Sequence, residues 1–462
     1  MIELSRAVAE HVAGATFDSL PDEAVRGAKR SLLDALGVTL AASTLGEGVR
    51  PFVDLVVADG GAATSTIIGF GVQVPAAAAA YANGAMAHAL DFEDAHDGAL
   101  VHPSAPTVPA VLALAETVPT TGEEVLTALA VGTDLVCRLG LALRSDPAER
   151  GWYPPVLLQA FGAAAGASRV LGLDATATLD ALSLTLAQVT GTSEMTRGAR
   201  SVVRGVRDAF GAQAGVRAAQ LAAAGVAGFD RPFEGAAGLF ALYAEGLYEP
   251  DEILAELGQR YEGARLTYKP WPSCRGTHAA IEAALLMRAD GLVADDIDDV
   301  VVVGAPLNRM LCEPVEQRRN PSTAIDAKFS LPYTVGRAIV HGDVGLDAFA
   351  PEALRDPLVL AVAQRVRYQI DPDDSPGAAT RCRLEVRTGA GTRSVVVDPA
   401  PGGPDRPMSD SDLRAKFVDN ASHSATSLSD DQVARIVDVT ASLESCVDVG
   451  RDLMALLRSR SV

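Results

Sequence analysis

The chain has 462 residues, 48% of them hydrophobic and 21% charged, enough apolar material to bury a large core spread over two or more domains. Its net charge of −20 disfavours a general affinity for nucleic acid or an anionic membrane surface, because either needs a basic stripe and the sequence contains none. The five cysteines, Cys137, Cys274, Cys312, Cys382 and Cys446, form no CxxC or other metal-ligand pair and read as reduced thiols of a cytoplasmic protein without an iron–sulfur cluster. The opening MIELSRAVAEH carries an early glutamate and no basic region ahead of an apolar stretch, so no signal peptide is expected. No run of about 18 apolar, uncharged residues suggests a membrane span.

In chain order, Leu4 to Ala15 reads as a short amphipathic helix. A second helix enters at Pro21, with Asp22 and Glu23 in its first turn and Val25, Ala28, Leu32, Leu33 and Leu36 on one side. Thr64 to Phe70 reads as a short strand, and Ala76 to Leu90 as an alanine-rich helix entered at Pro75. The run NGAMAHALDFEDAHDGALVHPSAPTVP, Asn83 to Pro109, then gathers His88, His96 and His102, three of the chain's seven histidines, with Asp91, Glu93, Asp94 and Asp97. Behind it, Val108, Val111, Leu112 and Ala115 recur at helical spacing with Thr107 as N-cap, so the polar run is expected to be a loop held between two packed helices. Thr121 and Glu124 have the spacing of a capping box for a helix to about Leu143; Phe161 to Leu171 and Ala214 to Ala224 read as further helices of small residues.

The pattern changes beyond Lys269. DVVVVG from Asp299 is a buried-strand run, Val366, Tyr368 and Ile370 alternate, as do Cys382, Leu384 and Val386, and Ser394 to Val397 is largely β-branched. Helices are expected at Ala279 to Arg288 and around Ala324 to His341, interrupted by Pro332, which makes this part α+β or α/β. The Pro/Gly-rich PAPGGPDRP, Pro399 to Pro407, closes it, and two helices follow, capped by Ser409 and by Ser429 with Gln432.

Four segments in order, NGAMAHALDFEDAHDGALVHPSAPTVPAVLALAE, YKPWPSCRGTHAAIEAAL from Tyr268, DAKFSLPYTVGRAIVHG from Asp326 and PMSDSDLRAKF from Pro407, resemble the MmgE/PrpD family. The resemblance implies a mainly α fold: a large all-helical domain formed from N- and C-terminal segments, residues 1–266 plus 408–462, with an inserted α/β (α+β) lid domain, 267–407, in a homodimer. It also implies an enzyme that uses no metal or organic cofactor. The family's activities include dehydration of 2-methylcitrate, decarboxylation of cis-aconitate and epimerisation of iminodisuccinate. They share proton transfer at a carbon beside a carboxylate, which needs a positioned base, a proton donor and cations to hold the carboxylates of a small di- or tricarboxylate substrate.

By resemblance Asp91, His102, Lys269 and Tyr333 match catalytic positions of the family. Tyr153 in GWYPP stands where the decarboxylases have a histidine, Arg204 in VVRGVRDAF where they have a lysine, and Cys274 in place of another histidine. These changes weaken the decarboxylase reading, since a phenol is a poor substitute for imidazole, whereas Tyr153 opposed to a lysine would suit an epimerase. A lyase of the dehydratase or a related kind is the leading expectation, an epimerase the alternative, and a non-catalytic carboxylate-binding protein the third. Arg204, Arg207, Cys274, Arg275 and His278 are the expected substrate-binding residues. Plainer roles exist for several of them. His88 reads as a helix-face packing residue, His96 and Asp97 as solvated loop residues, Cys274 as a small buried residue, and Arg200, Arg204 and Arg207 as a solvated helix face. A zinc or manganese site from His88, Asp91, Asp94, His96 and His102 has the right ligand types but no HExxH-like helical spacing, so no metal is expected.

Overall fold

The computed structural model describes residues 3–196, 201–371 and 380–458. The chain divides into two compact units, residues 1–266 with 409–462, and residues 267–408. The fold is mainly α, and its larger sheet lies wholly in the second unit.

In the first unit, helices Ala76–Ala89, Ser104–Ala115, Gly122–Ala142, Pro154–Val170 and Asp208–Ala223 pack on one another, and Asp22–Leu45 and Asp410–Ser422 pair beside them. Their alanine and glycine content is what close approach demands. A Cβ on Gly84 would lie 2.8 Å from the Asp208 carbonyl, and one on Gly215 2.6 Å from Ala163 Cβ. The helix that carries His88 is thereby held against the helix that starts at Asp208. Thr121 caps Gly122–Ala142 by accepting from the Glu124 amide, as its spacing predicts. By length and mean hydropathy that helix could cross a membrane, but Asp134 and Arg138 interrupt it, so it holds no uncharged run of the kind a span needs. It is mostly buried and carries the Asp134–Arg138 ion pair, which marks it as a core helix of this unit. A hairpin of β1 (Ser65–Ile67) and β2 (Val72–Val74) completes the Thr64–Phe70 expectation.

Several boundaries differ from the sequence pattern. Ser104–Ala115 begins three residues before Thr107, the expected N-cap. Thr107 instead lies inside the helix and donates to the Pro103 carbonyl, while Pro106 falls in the first turn, where its missing N–H is not needed. Pro154 starts the next helix seven residues ahead of Phe161, for the same reason. Helix Val49–Asp59, short and preceded by a left-handed Gly48, escaped the pattern entirely.

In the second unit, β3 (Ile297–Gly304) lies between β4 (Val366–Ile370), parallel to it, and β5 (Cys382–Thr388), antiparallel; β6 (Gly391–Val397) pairs antiparallel with β5. The alternation of Val366, Tyr368 and Ile370 and of Cys382, Leu384 and Val386 sits in these strands. Helix His278–Ala289 packs against β5 and β6. The stretch from Ala324 to His341 forms two helices, Ala324–Lys328 and Leu331–His341, broken where Ser330 caps the second and Pro332 occupies its first turn.

Candidate functional site

The polar loop forms in the first unit where helix Ala76–Ala89 ends. Asp91, fully buried, adopts a left-handed backbone (φ 50°), and its amide donates to the His88 carbonyl at 2.9 Å. Aspartate is one of the few non-glycine residues that tolerate this conformation, and the reversal folds Asp91 and Glu93 back over His88. A bridge between His96 and Val101 closes the far side of the loop. Lys416 of helix Asp410–Ser422 supports it from below, donating to the Phe92 carbonyl at 2.7 Å and pairing with Asp34 at 2.7 Å. His96 is buried: its Nδ1 accepts the Ala99 amide at 3.0 Å and its Nε2 lies 3.3 Å from Glu262. The expectation of a solvated His96 is therefore corrected, because this ring anchors the loop to Glu262.

Asp94 is a helix cap rather than a reacting group. Its carboxylate takes the Ser104 amide at 3.3 Å and the Ser104 hydroxyl at 2.5 Å, satisfying the first donors of helix Ser104–Ala115. Burial, reinforced by Asp34 and opposed by the Ser104 and Ser31 bonds, pushes its carboxyl up to about 7. A folded value above the ordinary one means that this group adds stability fully below about pH 4 and that the contribution is lost as pH rises through about 7. In Asp94→Asn the fall in melting temperature between about pH 4 and pH 7 is expected to shrink, leaving the smaller share from Asp134, which burial pushes up to about 6. Thermal unfolding across that range checks this; an unchanged slope would contradict the assignment.

Two histidines converge on Glu93. His88 Nδ1 is 2.5 Å and His102 Nδ1 2.9 Å from Glu93 Oε1, with the two ring centroids 5.1 Å apart. The proton positions follow from the partners. An Arg207 Nη1 N–H meets His88 Nε2, and guanidinium can only donate, so Nε2 accepts and Nδ1 carries the proton given to Glu93. Burial first, and then the Arg207 charge, lower the His88 pKa against the opposing pull of Glu93, in keeping with a neutral ring. His102 Nδ1 also faces the Asp94 carbonyl at 3.0 Å, which can only accept, so that nitrogen is a donor too. The His102 Nε2 lone pair is left to act on a substrate, and the side chain is 17% exposed. Its backbone is fixed by Gln159, which accepts the His102 amide at 3.0 Å and donates to Asp208 at 2.6 Å.

Nitrogen and carboxylate oxygen atoms of His88, Asp91, Glu93 and His102 all lie within 4.8 Å of one another, a set that could surround a metal ion. The proton inventory opposes it. His88 has both ring nitrogens committed, Nε2 accepting from Arg207 and Nδ1 donating to Glu93, so it could bind a metal only by giving up one of these bonds.

Arg207 is fully buried, with Nη1 also donating to the Arg204 carbonyl at 2.8 Å and Nε 3.7 Å from Asp208. Arg204 is buried as well, so these two do not form the solvated face the spacing allowed; Arg200 lies outside the described residues. The guanidinium carbons of Arg207 and Arg204 stand 5.1 Å and 6.0 Å from the Tyr153 ring centroid. Tyr153 itself is the residue before helix Pro154–Val170, held there by its amide bond to the Gly191 carbonyl at 3.1 Å. The neighbouring Trp152 packs edge-on to Tyr243.

The first unit thus gathers Asp91, His102, Tyr153, Arg204 and Arg207 about His88 and Glu93. Lys269, Cys274, Arg275, His278 and Tyr333 belong to the second unit. Lys269 and His278 are fully buried, and His278 Nε2 lies 3.2 Å from the Ser273 carbonyl with its ring edge-on to Trp271. Cys274 is half-buried. Arg275 donates to the Pro401 and Ala400 carbonyls at 2.7 and 3.1 Å, pinning the Pro/Gly-rich segment. Tyr333 lies in the hydrophobic core, its hydroxyl donated to the Ala348 carbonyl at 2.6 Å and pushed up to about 12 by burial, the placement of a packing tyrosine.

Glu93, Gln159 and Asp208 were not singled out as site residues from the sequence. Glu93 stood within the polar run; Gln159 is a lone amide in the apolar PVLLQAF, a signal visible only in retrospect.

The comparisons with known proteins cover both units. The MmgE/PrpD N-terminal domain matches residues 6–250 and the MmgE/PrpD C-terminal domain residues 271–444. The chain is 27% identical to the cis-aconitate decarboxylase-like protein oryM of Aspergillus oryzae, over 95% of this chain and 94% of that protein. It is 26% identical to the cis-aconitate decarboxylases of Mus musculus and Homo sapiens, over 97% and 96% of this chain and 92% of each of those proteins. With two domain matches that together span nearly its whole length, this chain belongs to the MmgE/PrpD family.

Proposed function

We propose that the protein is a cofactor-independent lyase that removes a proton from a carbon beside a carboxylate of a small di- or tricarboxylate. His102 Nε2 is the acid/base atom, Asp91 its partner in proton transfer, and Arg207 the carboxylate anchor. The observation that carries this reading is the state of Arg207. Only 1% of its side chain is exposed, and its Nε and Nη2 make no hydrogen bond among the described residues. Buried donors left in this way cost free energy, and two on one guanidinium have the fork geometry of a carboxylate site. Through His88 and Glu93 that fork is joined to His102, so a bound carboxylate would bring its neighbouring carbon toward an imidazole lone pair. The same positive edge would offset charge developing on the carboxylate as the proton leaves. The names of the relatives, cis-aconitate decarboxylases, support a lyase.

Arg207→Lys tests the anchor, because lysine keeps the charge and loses the fork. Binding of a dicarboxylate inhibitor, measured by calorimetry, is expected to weaken by about tenfold or more, the scale of a lost charge-assisted pair. Unchanged affinity would remove Arg207 from the carboxylate site.

A second reading, an epimerase, rests on Tyr153, whose ring covers the Arg207 guanidinium in the same cluster. Assay of citrate-like, aconitate-like and aminosuccinate-like acids separates the two. An unsaturated or decarboxylated product supports the lyase, and inversion at one carbon with nothing released supports the epimerase.

A further inference from the structure

We propose that Glu93 and His88 form a positioning pair that ties the guanidinium of Arg207 to the imidazole of His102; the proposal rests on the reading of Arg207 as anchor and His102 as acid/base. One oxygen, Glu93 Oε1, takes the His88 Nδ1 proton at 2.5 Å and lies 2.9 Å from His102 Nδ1, whose proton is shared between it and the Asp94 carbonyl, and the Arg207 Nη1 closes the row on His88 Nε2. Every link in the row has a fixed polarity, since guanidinium donates at one end and the Asp94 carbonyl accepts beside the other. Glu93 and His88 are fully buried, so their bonds are strengthened by low local dielectric and cannot be exchanged for water. Asp91, Asp94, Arg204 and Asp208 are the other charged groups around the row.

A purely structural carboxylate would be satisfied by any set of donors. This one instead spans the two groups to which the proposed chemistry assigns binding and proton transfer, holding the rings 5.1 Å apart. Fixing that separation positions the carbon beside an anchored carboxylate against His102 Nε2, where misplacement by a fraction of an ångström lowers the rate without lowering affinity. When His102 takes up the proton, Glu93, 2.9 Å from its other nitrogen, stabilises the imidazolium.

The test uses full-length protein labelled with 15N-histidine, and Glu93→Gln, which keeps the shape and removes the charge. Wild-type protein is expected to show two strongly downfield Nδ1–H proton signals, one lost in His88→Gln and the other in His102→Gln. Both should move upfield in Glu93→Gln. In kinetics, Glu93→Gln is expected to lower kcat by about tenfold or more, though by less than the ~10²–10⁴-fold expected for removing His102 itself. Affinity for a dicarboxylate inhibitor should stay within about threefold, and Glu93→Asp should recover part of kcat. Signals unmoved by Glu93→Gln, or a loss of inhibitor affinity as large as the loss of kcat, would overturn the proposal. If Glu93→Gln does not fold, the His88→Gln spectrum decides: a His102 signal indifferent to His88 and a kcat near wild type overturn the pair. Should no acid be turned over by wild-type protein, the functional reading fails, while the paired signals and their response to Glu93→Gln still decide whether the two histidines share Glu93.

Discussion

His102→Gln is expected to lower turnover by about 10²–10⁴-fold, the usual contribution of a positioned acid/base group, and to leave the protein folded. Glutamine can offer an amide N–H toward Glu93 and the Asp94 carbonyl in place of Nδ1–H, but it has no atom that accepts and returns a proton as Nε2 does. The side chain is 17% exposed, so the loss of stability should be near 1 kcal/mol, one net hydrogen bond. Steady-state rates with whichever acid the panel selects, beside a thermal unfolding curve, measure both. A decrease below about tenfold would assign His102 to packing and move proton transfer elsewhere.

The second large effect concerns the frame. Arg138 is fully buried on helix Gly122–Ala142; it pairs with Asp134 at 2.7 Å and donates to the carbonyls of Ile253 at 3.0 Å, Ala255 at 2.9 Å and Arg260 at 2.5 Å. Asp134 in turn accepts the Glu262 amide at 2.7 Å, and Glu262 is the anchor of His96 in the loop. Arg138→Met removes the cation and leaves the Asp134 charge and three carbonyls without it, a change expected to destabilise by about 3–5 kcal/mol, as for other broken buried pairs. Urea unfolding measures it. The double variant Asp134→Leu with Arg138→Met should recover part of the loss, since the uncompensated charge is gone. A single-variant effect under about 1 kcal/mol would mean that the carbonyls are satisfied by other means.

Much of the fold was written in local pattern. Thr121 with Glu124, Ser409 with Asp412 and Ser429 with Gln432 cap helices because each pair satisfies end groups within four residues, a purely local bargain. The strands of the second unit were legible in β-branched alternation, but their order was not, since β3 pairs with β4 and β5 across long stretches of chain. Prolines misled in a consistent direction. Pro103, Pro106 and Pro154 begin or occupy first turns, so Ser104–Ala115 and Pro154–Val170 start earlier than apolar periodicity suggests.

Of the site, the sequence disclosed the histidines and carboxylates of the loop as a set, and could not sort them. Asp94 and His96 turn out to hold the loop, Glu93 to join two rings, and His102 to keep a lone pair for chemistry. Those roles are set by atoms distant in sequence: Glu262, Gln159, Asp208 and Arg207. Arginine spacing at 204 and 207 is as common on solvated faces as in sites; only burial tells them apart, and here both are buried.

Proton NMR in deuterium oxide tests the central claim most directly. Wild-type protein is incubated with citrate-like, aconitate-like and aminosuccinate-like acids, and solvent deuterium is followed into the carbon beside a carboxylate. One class of acid is expected to incorporate deuterium at that carbon or to yield product labelled there, and His102→Gln to slow the incorporation by about 10²–10⁴-fold at unchanged inhibitor binding. Turnover of an acid with that carbon–hydrogen bond intact, or exchange at the wild-type rate in His102→Gln, would contradict it.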